Sequence, residues 1–242
     1  MQTLKIQSST TILPPLKKPK VVMLLSGGID SATLAYLLNL QGHEIYALTI
    51  DYGQKHNKEI ICARDVASSL NQKRGGTAIH WELLDFSVLQ NLLKSALTTE
   101  EPIPEGHYEA DSMKATVVPN RNAILLNIAA GYALSIGAIA IAYAAHAGDH
   151  AIYPDCRPDF VFALEEAIQI GTDSELRVYA PFIHMHKADI IKQGLQLGVP
   201  YELTWSCYKG GDKACGKCGT CVERLEAFEL NGVRDPIEYE ER

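Results

Sequence analysis

Residues 26–31 read Ser-Gly-Gly-Ile-Asp-Ser, after an apolar run and ahead of residues at helical spacing. Gly27 and Gly28 have no Cβ, so the backbone there can turn sharply and come close to a ligand. The N–H groups of such a loop and of the helix it opens point at an anion, and the helix dipole adds to them. Ser26 and Ser31 can donate from their hydroxyls. Asp30 repels a phosphate, so its uses are to cap the helix or to hold Mg2+ against phosphate oxygens. The loop lacks the Gly-Lys-Ser/Thr ending of a Walker loop. A plain helix-capping turn is the simpler alternative for the glycine pair.

Four of the six cysteines, Cys207, Cys215, Cys218 and Cys221, lie eight, three and three residues apart. Two successive Cys-x-x-Cys steps, with Gly216 and Gly219 between them, let thiolates converge on one ion. Four sulfurs suit a closed tetrahedral Zn2+ site that is structural. A disulfide pair and an iron–sulfur cluster are the rivals. Zinc would fold a segment too small for its own core, with Trp205 packing it onto a sheet. On that reading, metal removal loosens the C-terminal third and leaves the phosphate loop unaltered.

Further chemistry-bearing residues stand in three segments and one helix start. In Val117-Val118-Pro119-Asn120-Arg121-Asn122, Asn122 can cap a helix and Arg121 can fork onto phosphate oxygens; an ordinary surface arginine is the alternative. His146-Ala147-Gly148-Asp149-His150 can bind Mg2+ or move protons, or be a polar turn. In residues 153–160, Asp155 or Asp159 can accept from the N–H edge of a guanine-like ring. Arg157 can hold a carboxylate, and Tyr153 or Phe160 can stack. A helix-entry loop with Asp159 as cap is equally open. Cys156 is either reactive or inert packing. Lys187 can reach phosphates or stay solvated.

The Ser26–Ser31 loop resembles the SGGxDS loop of the PP-loop ATP pyrophosphatase superfamily, whose members release pyrophosphate and leave AMP on a substrate oxygen. With VVPNRN, GDHAIYPDCRPDF and TWSC…CGKCGTC, the chain resembles the 7-cyano-7-deazaguanine synthase family from about residue 20 to residue 224. That resemblance implies conversion of 7-carboxy-7-deazaguanine, ammonia and ATP to the nitrile, on the route to queuosine. It implies zinc on the four cysteines, a sheet of order 3-2-1-4-5 and often a homodimer. It places ATP on Leu25, Ser26, Gly27, Gly28, Ile29, Asp30, Ser31, Ala32, Thr33, Leu34 and Ala35; Arg121 and Lys187, on their own chemistry, are expected to reach its phosphates. Ser26, Asp30, Ser31, Arg121 and Asp149 are the expected catalytic groups. Tyr153, Asp155, Arg157 and Asp159 are the expected substrate contacts. The location expected is cytoplasmic.

These residues need elements to hold them, and the pattern supplies strands alternating with helices. Apolar runs ending in turn residues mark strands at 20–26, 44–51, 79–84, 138–146 and 176–180. Helical spacing marks 30–40, 55–70, 122–136, 160–170 and 187–197, with a short helix near 88–93. Within 55–70, Ile60, Ile61, Ala63 and Val66 are expected on the inner side. Such alternation implies a parallel sheet with helices on both faces and right-handed crossovers. Ligands then bind beyond the carboxyl ends of the strands. Residues 98–114, rich in proline and acids, read as a mobile loop or lid.

The expected division is a flexible leader at 1–19, a PP-loop α/β domain at 20–200 and a zinc-binding region at 201–242. The uncharged stretch 123–145 is long enough to span a bilayer, but its split at Gly137 reads better as a buried helix followed by a buried strand. The net charge of −7 argues against direct nucleic-acid binding. That disfavours an RNA-modifying PP-loop ligase, the second enzyme reading. A non-catalytic zinc-knuckle module, the third, would need neither the phosphate loop nor Arg121.

Overall fold

The computed structural model describes residues 18–73 and 76–240. Most of the expected leader, residues 1–17, lies outside them. Five strands, β1 (Lys20–Leu24), β2 (Glu44–Asp51), β3 (Ile79–Asp85), β4 (Ala140–Ala142) and β5 (Arg177–Tyr179), form one sheet. Their order is β3-β2-β1-β4-β5, and every pairing is parallel. Among the described residues six helices accompany them: α1 (Ile29–Leu40), α2 (Lys58–Gln72), α3 (Arg121–Ile136), α4 (Pro158–Thr172), α5 (Lys187–Leu197) and α6 (Gly219–Leu230).

The strand period of two splits β1 between two cores. Val21 and Met23 pack with α1, α2, α5 and α6 on one face, and Val22 packs with α3 and α4 on the other. Burial on both faces is why β1 is a continuous apolar run. The strand order reverses between β1 and β4, so the ends of those strands and the loops after them frame the crevice where a ligand fits.

Several expected boundaries move. Only Ala140–Ala142 of the stretch 138–146 pairs as a strand; the remainder leaves the sheet to form the loop that carries His146 and Asp149. On α2, Ala63, Val66, Ala67 and Leu70 are buried, whereas Ile61 is exposed, because the helix begins at Lys58 and turns a different face inward. Residues 98–114 are not simply an outlying lid. Met113 is buried in a 3-10 turn (Asp111–Thr116), and Glu105 bridges to Cys218. Among the described residues, no helix is long and apolar enough to cross a membrane.

Candidate active site

Beyond β1 the chain closes the phosphate loop on itself. The Ser26 N–H donates to Ser31 Oγ at 3.2 Å, the two hydroxyls meet at 3.0 Å, and the Gly28 N–H donates to Ser26 Oγ at 3.3 Å. Gly27 has φ +88°, and a Cβ there would lie 2.2 Å from the carbonyl oxygen of Glu59 on α2. Only glycine fits that position. Gly28 caps α1 with no side-chain hydrogen bond, so the helix start keeps its orphan N–H donors for an anion. Asp30 is therefore not the cap.

The cavity over the loop, about 290 Å³, is lined by Leu25, Ser26, Gly28, Asp30 and Ser31 from this segment. Gly27 and Ile29 shape the turn from behind. Ala32, Thr33, Leu34 and Ala35 do not line the cavity; all are 0 % exposed, as core of α1. The Thr33 hydroxyl is committed to the Ile29 carbonyl at 2.8 Å and the Tyr201 hydroxyl at 2.9 Å. Of the segment expected to hold ATP, the first half faces the cavity and the second half is core.

Five charged or titratable side chains converge beneath the loop. Lys187 Nζ, at the first residue of α5, lies 3.4 Å from Asp30 Oδ2 and 2.5 Å from Glu223 Oε2. His146 Nε2 stands 3.7 Å from Asp30 Oδ2 and 3.3 Å from Asp149 Oδ2. Lys187 is buried, not solvated. Burial disfavours its charge, but Asp30, Glu223 and Asp149 outweigh that and hold its pKa above the usual lysine value. Asp30 Oδ1 and His146 Nδ1 are buried without a protein partner, which leaves Asp30 Oδ1 an acceptor suited to a hard cation such as Mg2+. The sequence alone does not single out Glu223. Its only signal was its place two residues after Cys221, at the start of an amphipathic run.

On the opposite wall, Arg121 opens α3 after Asn120, whose backbone is left-handed at φ +57°. The guanidinium donates from Nη1 to the Tyr52 hydroxyl at 3.3 Å and lies 5.5 Å from the Tyr52 ring centre. Asn122 does not cap this helix; Asp155 does, its Oδ2 accepting from the Asn122 N–H at 3.2 Å. Glu59 lines the same cavity, and burial pushes its carboxyl up to about 7 against the opposing pull of Arg121.

The expected substrate residues divide. Tyr153 lines the cavity, with its hydroxyl bonded to Thr116 Oγ1 at 2.7 Å and the Tyr208 hydroxyl at 3.1 Å. Asp155 is spent on α3. Arg157 is exposed and donates from Nε to the His150 carbonyl at 2.8 Å. Asp159 sits exposed in the first turn of α4. Neither lines the cavity, because α4 carries both around to its outer surface. Cys156 is buried, accepts from Asn122 Nδ2 at 3.5 Å, and has its thiol pKa pushed up by desolvation. It also lines the cavity, where a thiol kept protonated by burial is a weak nucleophile.

Cys207, Cys215, Cys218 and Cys221 are all buried, with their sulfurs within 4.8 Å of one another. None of the six cysteines forms a disulfide. Cys215 Sγ and Cys221 Sγ are 3.9 Å apart, close to the edge of about 3.8 Å for a sulfur tetrahedron built on 2.3 Å zinc bonds. The N–H groups of Cys215, Lys217 and Cys218 point at these sulfurs from 3.3, 3.4 and 3.3 Å, as they would stabilise thiolates. The donor set fits one soft tetrahedral cation.

This knuckle is tied to the phosphate loop, not to the sheet. The Trp205 N–H donates to the Gly27 carbonyl, and Lys58 Nζ lies 3.5 Å from the centre of the Trp205 ring. The expectation that the two regions respond independently to metal removal does not suit this arrangement.

The chain matches the family described as queuosine biosynthesis protein QueC over residues 20–232. It is 52% identical over 222 residues to a 7-cyano-7-deazaguanine synthase of Caldicellulosiruptor bescii, covering 91% of this chain and 97% of that one. To the synthase of Hahella chejuensis it is 49% identical, covering 97% of each. To that of Methanoregula boonei it is 52% identical, covering 91% and 99%.

Proposed function

Because the chain belongs to the queuosine biosynthesis protein QueC family, we propose that it converts 7-carboxy-7-deazaguanine and ammonia to 7-cyano-7-deazaguanine at the expense of ATP. One observation carries the activation chemistry: a phosphate loop with free helix N–H groups shares one cavity with Arg121, Lys187 and Asp30.

The chemical logic is that of a poor leaving group. A carboxylate must expel an oxide; adenylation makes that oxygen part of AMP. The carboxylate oxygen attacks the α-phosphorus and pyrophosphate departs into the loop N–H groups, with Lys187 and Arg121 offsetting the charge. Each such preorganised donor is worth about 2–4 kcal/mol, by analogy with oxyanion holes. Ammonia displaces AMP to give the amide. The amide oxygen then attacks a second ATP, and loss of AMP yields the nitrile. Ser26 and Ser31 hold the loop closed. His146, between Asp30 and Asp149, fixes those carboxylates.

Asp30 Oδ1 with Asp149 would hold Mg2+, which when bound neutralises phosphate charge. Cys207, Cys215, Cys218 and Cys221 would hold Zn2+, which when bound fixes the fold of residues 201–221. Tyr153 lies where a flat heterocycle can stack against it. The exposed Phe162 and Ile170 on α4 offer an apolar face for a homodimer. A cytoplasmic setting suits free, clustered thiols. Net charge −7 goes with a small-molecule substrate and no direct nucleic acid.

The test is incubation of the protein with ATP, Mg2+, ammonium and 7-carboxy-7-deazaguanine, read by mass spectrometry. Nitrile with AMP and pyrophosphate is expected. Amide as the final product limits the reading to its first half, and absence of carboxylate-dependent AMP overturns it.

A further inference from the structure

Ammonia brings three N–H bonds to this reaction, and the nitrile nitrogen keeps none. One proton leaves as the C–N bond forms and AMP departs. A second leaves as the amide oxygen bonds to phosphorus. The third leaves as the C–O bond to AMP breaks and the C–N triple bond forms. Each N–H electron pair stays with nitrogen as the C–N bond order rises, so nothing is oxidised or reduced. The site therefore needs a base facing the substrate, able to take a proton at neutral pH and return it to solvent.

Most acid–base groups around the cavity are engaged. Asp30 and Glu223 face Lys187, and His146 stands between Asp30 and Asp149. Cys156 also lines the cavity, but burial holds its thiol protonated and it accepts a hydrogen bond from Asn122. His56 packs against Gly210 of the knuckle, and its charged form is disfavoured by burial. Glu59 differs from all of these. It lines the cavity beside the phosphate loop, its own carbonyl against Gly27, and among the described residues its carboxylate takes part in no ion pair or side-chain hydrogen bond.

We propose that Glu59 is the proton acceptor for the nitrogen that becomes the nitrile. This rests on the amidation reading above. The groups that interact electrostatically with Glu59 are Arg121 on α3, Tyr52 beyond β2 and Cys62 one turn along α2. Burial pushes the carboxyl up to about 7, the range in which a base is both available and strong enough at neutral pH. Arg121, across the cavity, keeps it from going higher.

The experiment separates the two halves of the chemistry in Glu59→Gln. Carboxylate-dependent exchange between ATP and pyrophosphate, without ammonium, reports adenylation alone. Single-turnover amide formation against pH reports attack by nitrogen. With free ammonia held at the same concentration at every pH, the wild type is expected to show an amide rate that rises through about pH 7. Glu59→Gln is expected to keep exchange, lose that rise, and form amide about 100-fold more slowly at neutral pH. Glu59→Asp, which retains a carboxyl, is expected to keep the pH-dependent rise at an intermediate rate, and carries the same readout should the glutamine variant not fold. Equal amide rates in wild type and variant overturn the proposal, as does a parallel loss of exchange and amidation. Absence of exchange in the wild type overturns the parent reading itself.

Discussion

The backbone N–H of Trp205 donates to the carbonyl oxygen of Gly27 at 3.0 Å. Two residues beyond Trp205 stands the first knuckle cysteine, and Gly27 is the residue whose backbone makes the phosphate loop turn. This bond and the Glu223–Lys187 pair join the C-terminal region to the Ser26–Ser31 side of the cavity. Chelation of the knuckle metal is therefore expected to speed hydrogen exchange in residues 25–31 as well as 201–221, and to leave α4 protected. A loop that stays protected after chelation would show the two regions to be independent.

Lys187 holds two carboxylates together, Asp30 and Glu223, so its removal costs more than the loss of one phosphate contact. Lys187→Met is expected to lower carboxylate-dependent ATP–pyrophosphate exchange by about 100-fold or more. Glu223→Gln keeps a hydrogen-bond partner for Lys187 and is expected to act mainly on the KM for ATP. Exchange kinetics on the two purified variants check this; equal defects would contradict the positioning role given to Glu223.

At Gly27 a methyl group meets backbone that cannot swing away, 2.2 Å from the Glu59 carbonyl and 2.7 Å from the Ala63 nitrogen. Gly27→Ala is expected to cost about 2 kcal/mol or more in stability and to abolish exchange. Denaturant unfolding and the exchange assay, run side by side, test both parts.

Deep beneath the knuckle, Arg224 and Asp235 are 1 % and 3 % exposed and form a two-pronged pair at 2.7 and 2.9 Å. Removing one partner strands a buried charge. Asp235→Asn is expected to destabilise the fold by about 3 kcal/mol, measured as the free energy of urea unfolding. A change below about 1 kcal/mol would place this pair among the weak ones.

Glu59 makes a signed prediction for stability against pH. Its carboxyl goes from 4.5 to about 7 on folding, so the native state holds a proton that the unfolded chain releases. The wild type should lose stability relative to Glu59→Gln as pH rises from about 4.5 to about 7, and the gap should then stay constant. Because the side chain is partly exposed, the plateau should be about 1–3 kcal/mol rather than the full value of the shift. Urea titrations of both proteins across that range decide it; parallel curves would rule it out.

The parallel sheet could be anticipated because each strand is a short apolar run closed by a turn and each helix carries its own period; its order came from the family resemblance alone. The phosphate loop and the four cysteines were also visible, since their function depends on spacing along the chain. What escaped the sequence depends on which way a surface turns. Arg157 and Asp159 sit in a motif dense with chemistry, yet the start of α4 carries both outward. Asp155 caps a helix that begins 34 residues before it. Glu59 and Glu223 lie in ordinary amphipathic helices, and only folding brings them to the same cavity. Residues 98–114 read as a lid because of their polarity, while Met113 and Tyr108 fasten them beside Gly219 and Ile103 packs on the cysteine cluster.

The central claim is that ATP activates the substrate by taking its oxygens, one at a time, into AMP. The direct measurement is turnover of 7-carboxy-7-deazaguanine labelled with oxygen-18 in both carboxylate positions, followed by mass spectrometry of the nucleotide products. The account predicts that both labels end in AMP, one per molecule, with two AMP formed for each nitrile. Label in inorganic phosphate alongside ADP, or label released to water with unlabelled AMP, would contradict it.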